Sequence, residues 1–127
     1  MNELTLNLPW PPSVNAVWRS VVRGKFATVY KTDQGKDYEK RVCKIHMLMG
    51  KPKLGDARLC VTVEVYPPDR RRRDLGNLDK VLMDSLEKAG VFDDDSQIDD
   101  LRFIRKAVEK PGRVIVNIQI MATQSGL

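Results

Sequence analysis

Leu59, Val61, Val63 and Val65 alternate without a break with Cys60, Thr62 and Glu64. Successive side chains on a strand point to opposite faces, so a strict period of two predicts a strand with one buried face. Pro67-Pro68 ends it. Two more stretches keep the same period. Glu3 to Leu8 places Leu4, Leu6 and Leu8 on one side and stops at Pro9, Pro11 and Pro12. Val114, Val116, Ile118 and Ile120 do the same after a Lys110-Pro111-Gly112 turn. A fold that buries three such faces needs a sheet with something apolar laid on it.

Helical spacing supplies the cover. Thr32 and Asp33 are candidate N-caps for a helix reaching about Met49, with Tyr38, Val42, Ile45 and Met49 on one stripe and Gly50 and Pro52 as its stop. A second helix is expected from just after Asp74 to about Ala89, its stripe being Leu78, Val81, Leu82, Leu86 and Ala89, its stop Gly90. Between the first strand and the first helix lie a loop holding Ser13 and Asn15 between Trp10 and Trp18, and a hairpin from Val21 to Tyr30 turning near Arg23-Gly24. An acidic loop, Phe92 to Ser96, and a strand from about Gln97 to Val108 complete the order. The expectation is an α+β (mixed α/β) fold: one compact domain over residues 1–127, a mixed sheet with two main helices packed on it, and a frayed tail from Ala122 to Leu127.

Composition removes several classes of function. With 42% hydrophobic and 31% charged residues the chain is neither a membrane protein nor a disordered one. The opening MNELTLNLPWPP lacks the basic start and apolar middle of a secretory signal, and Cys43 and Cys60 are too few for a disulfide framework. Both read as reduced core thiols in a cytosolic protein. His46 is the only histidine, which excludes His-rich zinc sites, and its place on a helix near Met47 and Met49 reads as structural. The net charge of +5 points weakly to an anionic partner, but its distribution says more. Ten of the seventeen acidic residues fall between Asp69 and Asp100, the stretch that also holds Arg70, Arg71, Arg72 and Arg73 in a row.

Each candidate residue there has a plain reading beside a chemical one. Asp74 suits a helix N-cap and also a metal ligand. Asp93, Asp94 and Asp95 suit a solvated turn. They also suit the carboxylate cluster that holds Mg²⁺, a cation that prefers oxygen ligands and helps to activate water against phosphorus. A helix of about 15 residues spans roughly 22 Å. Asp74 and Asp95 therefore meet only if the loop folds back or a second subunit joins them. Lys80 suits surface pairing with Asp84, as Asp84 does with Lys88, or charge stabilisation at a scissile phosphate. Four successive arginines cannot all face one way, so two can reach phosphates while the others pair with nearby aspartates. Trp10, Trp18 and Phe92 are core or contact residues first and base-stacking candidates second.

The stretch DRRRRDLGNLDKVLMDSLEKAGVFDDDSQIDD, Asp69 to Asp100, resembles the RusA family of Holliday junction resolvases, and the opening LNLPWPPSVN is similar to that family's N-terminal signature. The resemblance is strongest in the Arg-rich, Asp-Leu-x-Asn, Lys, Asp-x-Leu-x-Lys-Ala-Gly and Asp-Asp-x-Gln blocks and weakest from about Val21 to Lys53. It implies a homodimeric, Mg²⁺-dependent endonuclease, with Mn²⁺ able to substitute, that nicks four-way DNA junctions symmetrically in the cytoplasm of a bacterial or phage-infected cell. By position it implies Asp74, Lys80 and Asp95 as catalytic residues, and Asp74, Asp94 and Asp95 as metal ligands. It also implies Arg70, Arg71, Arg72, Arg73 and Asn77 as DNA contacts. One position departs from it. Where familiar members carry a second aspartate two residues after the first, this chain has Gly76, for which Asp79, Asp84 or Asp94 are the nearby substitutes. The alternative that follows is a junction-binding protein with weak or no cleavage.

Overall fold

The computed structural model describes residues 2–121. The expected frayed tail, Ala122 to Leu127, lies outside the described residues. The three alternating stretches become β1 (Glu3–Pro9), β4 (Leu59–Tyr66) and β6 (Arg113–Ile120). They join β5 (Ile98–Arg105) in a four-stranded mixed sheet of order β1-β6-β4-β5. β1 and β4 flank β6 antiparallel, whereas β4 and β5 run parallel. A parallel pair needs a crossover. The chain supplies it as α3 (Asp79–Ala89), which leads from the end of β4 back to the start of β5.

The period of two is realised as one dry face. Leu59, Val61, Val63 and Val65 are fully buried there beside Val114, Val116 and Ile118, with Leu6 and Leu8 next to them. α2 (Asp33–Leu48) and α3 cover this face with Tyr38, Val42, Val81, Leu82 and Leu86. Thr32 caps α2, its hydroxyl accepting from the Gly35 amide, as its place in the sequence predicts. Gly90 ends α3 at φ 86°, a left-handed conformation that glycine adopts without steric cost.

Five expectations are corrected. The loop around Ser13 holds a short helix, α1 (Val14–Val17), whose first turn the Ser13 hydroxyl caps. The second helix does not start at Asp74. Leu75–Leu78 form a tight 3-10 turn and the α-helix begins at Asp79, consistent with Gly76 and Asn77 being poor helix formers. The strand expected to reach Val108 ends at Arg105; beyond it the Lys106 and Glu109 amides still donate to the Val65 and Pro67 carbonyls, but no regular ladder continues. Cys43 and Cys60 are free but only half-buried; Cys60 sits at an outward position of β4 rather than in the core. Lys80, Asp84 and Lys88 do not form the expected helix-surface pairs. Asp84 binds Lys31 instead, with Nζ to Oδ2 at 2.9 Å.

His46 is structural, fully enclosed with Nε2 2.6 Å from the Pro52 carbonyl oxygen. The expected hairpin is present as β2 (Trp18–Arg23) and β3 (Phe26–Lys31), a separate two-stranded sheet. Among the described residues, no helix is long and apolar enough to cross a membrane.

Candidate active site

The acidic loop is built by its glutamine. Gln97 is buried, and its side-chain oxygen accepts from the amides of Asp93 and Asp94 at 2.9 and 2.8 Å. Its side-chain nitrogen donates to the carbonyls of Gly55 and Ala57 at 2.9 and 2.6 Å. The Asp-Asp-x-Gln block therefore has a mechanical reason: the amide pins a row of like charges to the body of the protein. A second tie reinforces it. Asp94 caps the short 3-10 turn Asp95–Gln97, taking the Ser96 hydroxyl at 2.8 Å.

Pinned this way, the loop doubles back onto α3. The Asp95 amide donates to Glu87 Oε1 at 3.1 Å. Carboxylate oxygens of Glu87, Asp94 and Asp95 all lie within 4.8 Å of one another. Their charges respond to the crowding. Burial, then the neighbouring Asp94 and Asp95, raise the Glu87 carboxyl above its usual range. Asp79, half-buried in the first turn of α3, is raised by burial and by the charge of Asp95. The Ser96 hydroxyl and amide hold Asp94 below its ordinary value. Three clustered carboxylates are a donor set of hard oxygens, the kind that suits Mg²⁺ or Mn²⁺ and not a soft metal.

Asp74 stands outside that group. It occupies the N-cap position of the tight turn at Leu75–Leu78, yet its side chain makes no capping hydrogen bond. It lines a cleft of about 390 Å³ with Trp10, Ser13, Arg72, Arg73 and Asn77. Asn77 anchors the turn through its amide, which donates to the Asp74 carbonyl at 3.2 Å. Gly76 faces open space: a Cβ built there meets nothing within 4 Å.

The arginine run divides as its crowding demands. Arg73 donates to Asp69 Oδ1 at 2.6 Å and lies 5.5 Å from the centre of the Trp10 ring. The Arg71 amide reaches the same Asp69 oxygen at 2.9 Å. The Arg73 guanidinium and the Arg71 amide hold the Asp69 carboxyl down to about 2. Arg70, Arg71 and Arg72 are left exposed. Lys80 lies with its Nζ 4.6 Å from the centre of the Trp18 ring, and Lys31 approaches the same ring at 4.8 Å. Phe92 is core, and Trp10 and Trp18 each carry a cation on the ring.

Of the three substitutes considered for Gly76, Asp84 is committed to Lys31, Asp94 is in the carboxylate group and Asp79 stands near it. Glu87 was not singled out by the sequence as a ligand. It falls on an open position of the Asp-x-Leu-x-Lys-Ala-Gly block, where motif matching is blind. Its place on the polar face of the helix just before the acidic loop is the one cue that points to it.

Comparison with known proteins identifies the family. The family model described as endodeoxyribonuclease RusA matches residues 9–119. The crossover junction endodeoxyribonuclease rusA of Enterobacteria phage HK97 is 42% identical over 118 residues, covering 93% of this chain and 95% of that protein. The crossover junction endodeoxyribonuclease RusA of Escherichia coli (strain K12) is 38% identical over 125 residues, 98% of this chain and 100% of that one. A solved periplasmic domain of Helicobacter pylori MotB aligns at a TM-score of 0.42 and 17% identity, over 95% of this chain and 76% of that one, which is too loose a likeness to bear on fold or function. With a family match from Pro9 to Gln119 and relatives aligned almost end to end, the chain belongs to the RusA family of endodeoxyribonucleases.

Proposed function

We propose that the chain is a crossover junction endodeoxyribonuclease that binds four-way DNA and resolves it by paired symmetric nicks. The observation that carries the reading is the gathering of Glu87, Asp94 and Asp95 in a chain of this family. These three carboxylates would hold Mg²⁺, with Mn²⁺ as a substitute, and Asp74 would complete the set, from the same chain or from a second copy. When bound, the ion would polarise the phosphate and favour ionised water at neutral pH. Asp95 would orient the attacking water. Lys80 would offset the negative charge that grows on the phosphate.

Arg70, Arg71 and Arg72 would grip backbone phosphates as exposed forks, with Asn77 beside them in the cleft. Arg73 would act through its bond to Asp69, holding the segment in place. A two-fold homodimer would set two such centres on a junction of matching symmetry. The work belongs in the cytoplasm, where the DNA is.

The reading as a binder without cleavage is not favoured, since Glu87 supplies a carboxylate that the motif alone does not. A synthetic four-way junction incubated with the protein, with and without Mg²⁺, separates the two. Paired nicks that require the ion are expected. A gel shift without nicks in any divalent metal would leave only the binding role.

A further inference from the structure

The β2–β3 hairpin carries Arg19, Arg23, Lys25 and Lys31 and no acidic residue, in a chain that has seventeen elsewhere. Residues directly opposite in an antiparallel pair share a face. Arg19 therefore sits with Tyr30 and Arg23 with Phe26, and these two pairs alternate with Val21 and Thr28 on a single face. Phe26 is 78% exposed and Tyr30 is 47% exposed. Among the described residues, Arg19, Arg23 and Lys25 take part in no ion pair. At its root the hairpin is fixed to α2 and α3. Lys31 is bonded to Glu39 of α2 and Asp84 of α3, and Trp18 lies beneath Lys80.

We infer that this face is a DNA contact arm, its two aromatic rings stacking on bases at the point where duplex arms part. The reading rests on the proposed junction activity. Guanidinium beside an exposed ring suits a strand that offers phosphates and unstacked bases together. A regular duplex hides its base faces, so the arm rewards a branch point over a linear duplex. A second copy is the poorer occupant. Hairpin against hairpin across a two-fold axis would set Arg19 and Arg23 of one copy against the same pair of the other, with no acidic residue on either hairpin face to offset them.

The test uses the full chain, without divalent ion to prevent cutting, and two probes: a four-way junction with 2-aminopurine at the branch point and a linear duplex of the same composition. Phe26→Ala with Tyr30→Ala removes exposed rings, so the fold is expected to persist by circular dichroism. Loss of two stacking partners predicts a drop of about tenfold or more in junction affinity. Duplex affinity should stay within about twofold, as the phosphate contacts are untouched. The wild-type 2-aminopurine response should vanish in the double variant. Unchanged junction affinity and response would overturn the inference. So would equal losses on both probes, or a variant that sediments as a smaller species, which would make the hairpin a self-association surface. A wild-type protein with no preference for the junction would instead overturn the proposed function, and the arm's role with it.

Discussion

Asp74, Lys80 and Glu87 each separate chemistry from scaffolding by one measurement. Asp74 caps no amide with its side chain, so Asp74→Asn should abolish junction cleavage while binding stays level or tightens. Lost binding would make it chiefly structural. Lys80→Ala should slow cleavage far more than it weakens binding; equal losses would reduce it to a phosphate anchor. Glu87→Gln should weaken Mn²⁺ binding in calorimetry. That affinity should also fall as the pH drops toward the carboxylate range, since crowding raises Glu87 and protons compete with the ion there. Asp69 gives the opposite sign. Its carboxyl is held down to about 2 against an ordinary 3.8, so its contribution to stability is present above the ordinary value and lost as the pH falls through the lowered one. Asp69→Asn should therefore lower Tm at neutral pH, with the gap from wild type closing between about pH 4 and pH 2. A gap that is constant across that range would remove the ion pair from the account.

At the scale of elements, Gln97 joins the acidic loop to the segment around Gly55 through four hydrogen bonds, all from one buried amide. Gln97→Ala strands the Asp94 amide and the Ala57 carbonyl, while the Asp93 amide keeps its bond to the Gly55 carbonyl, and it should cost about 2–3 kcal/mol in urea unfolding, a typical penalty for unsatisfied buried polar groups. Divalent affinity should fall with it, because the loop carries Asp94 and Asp95. Loss of neither would mean the loop holds its shape unaided. The strands were readable because a one-sided sheet writes its burial into the sequence at a period of two. β5 was readable only in part: as an edge strand it keeps Leu101 and Ile104 partly exposed beside charged neighbours, so its pattern blurs. α1 escaped because four residues hold barely one turn of periodicity. The convergence of Asp95 on Glu87 could not be read at all. It depends on a chain reversal after Gly90 and a glutamine reaching residues some forty positions away.

For the whole molecule, the segregation of charge sets how it meets DNA. Arg70, Arg71 and Arg72 are exposed on the segment leading into the cleft, while Glu87, Asp94 and Asp95 gather as a separate carboxylate group. Junction affinity should fall steeply with salt, and replacing these three arginines together by alanine should shallow the log–log slope by about 2–3, near one counterion per lost contact. An unchanged slope would place the phosphate grip elsewhere. One ring ties this surface to the hairpin. Trp18 carries Lys31 and Lys80 on the same indole, and Lys31 is clamped to both helices. The hairpin thus meets the residue nominated for charge relief through a single side chain, the Trp18 indole, which both ammonium groups approach. Under the proposed function, the element offered to the branch point and the group offered to the phosphate would be joined at that one ring.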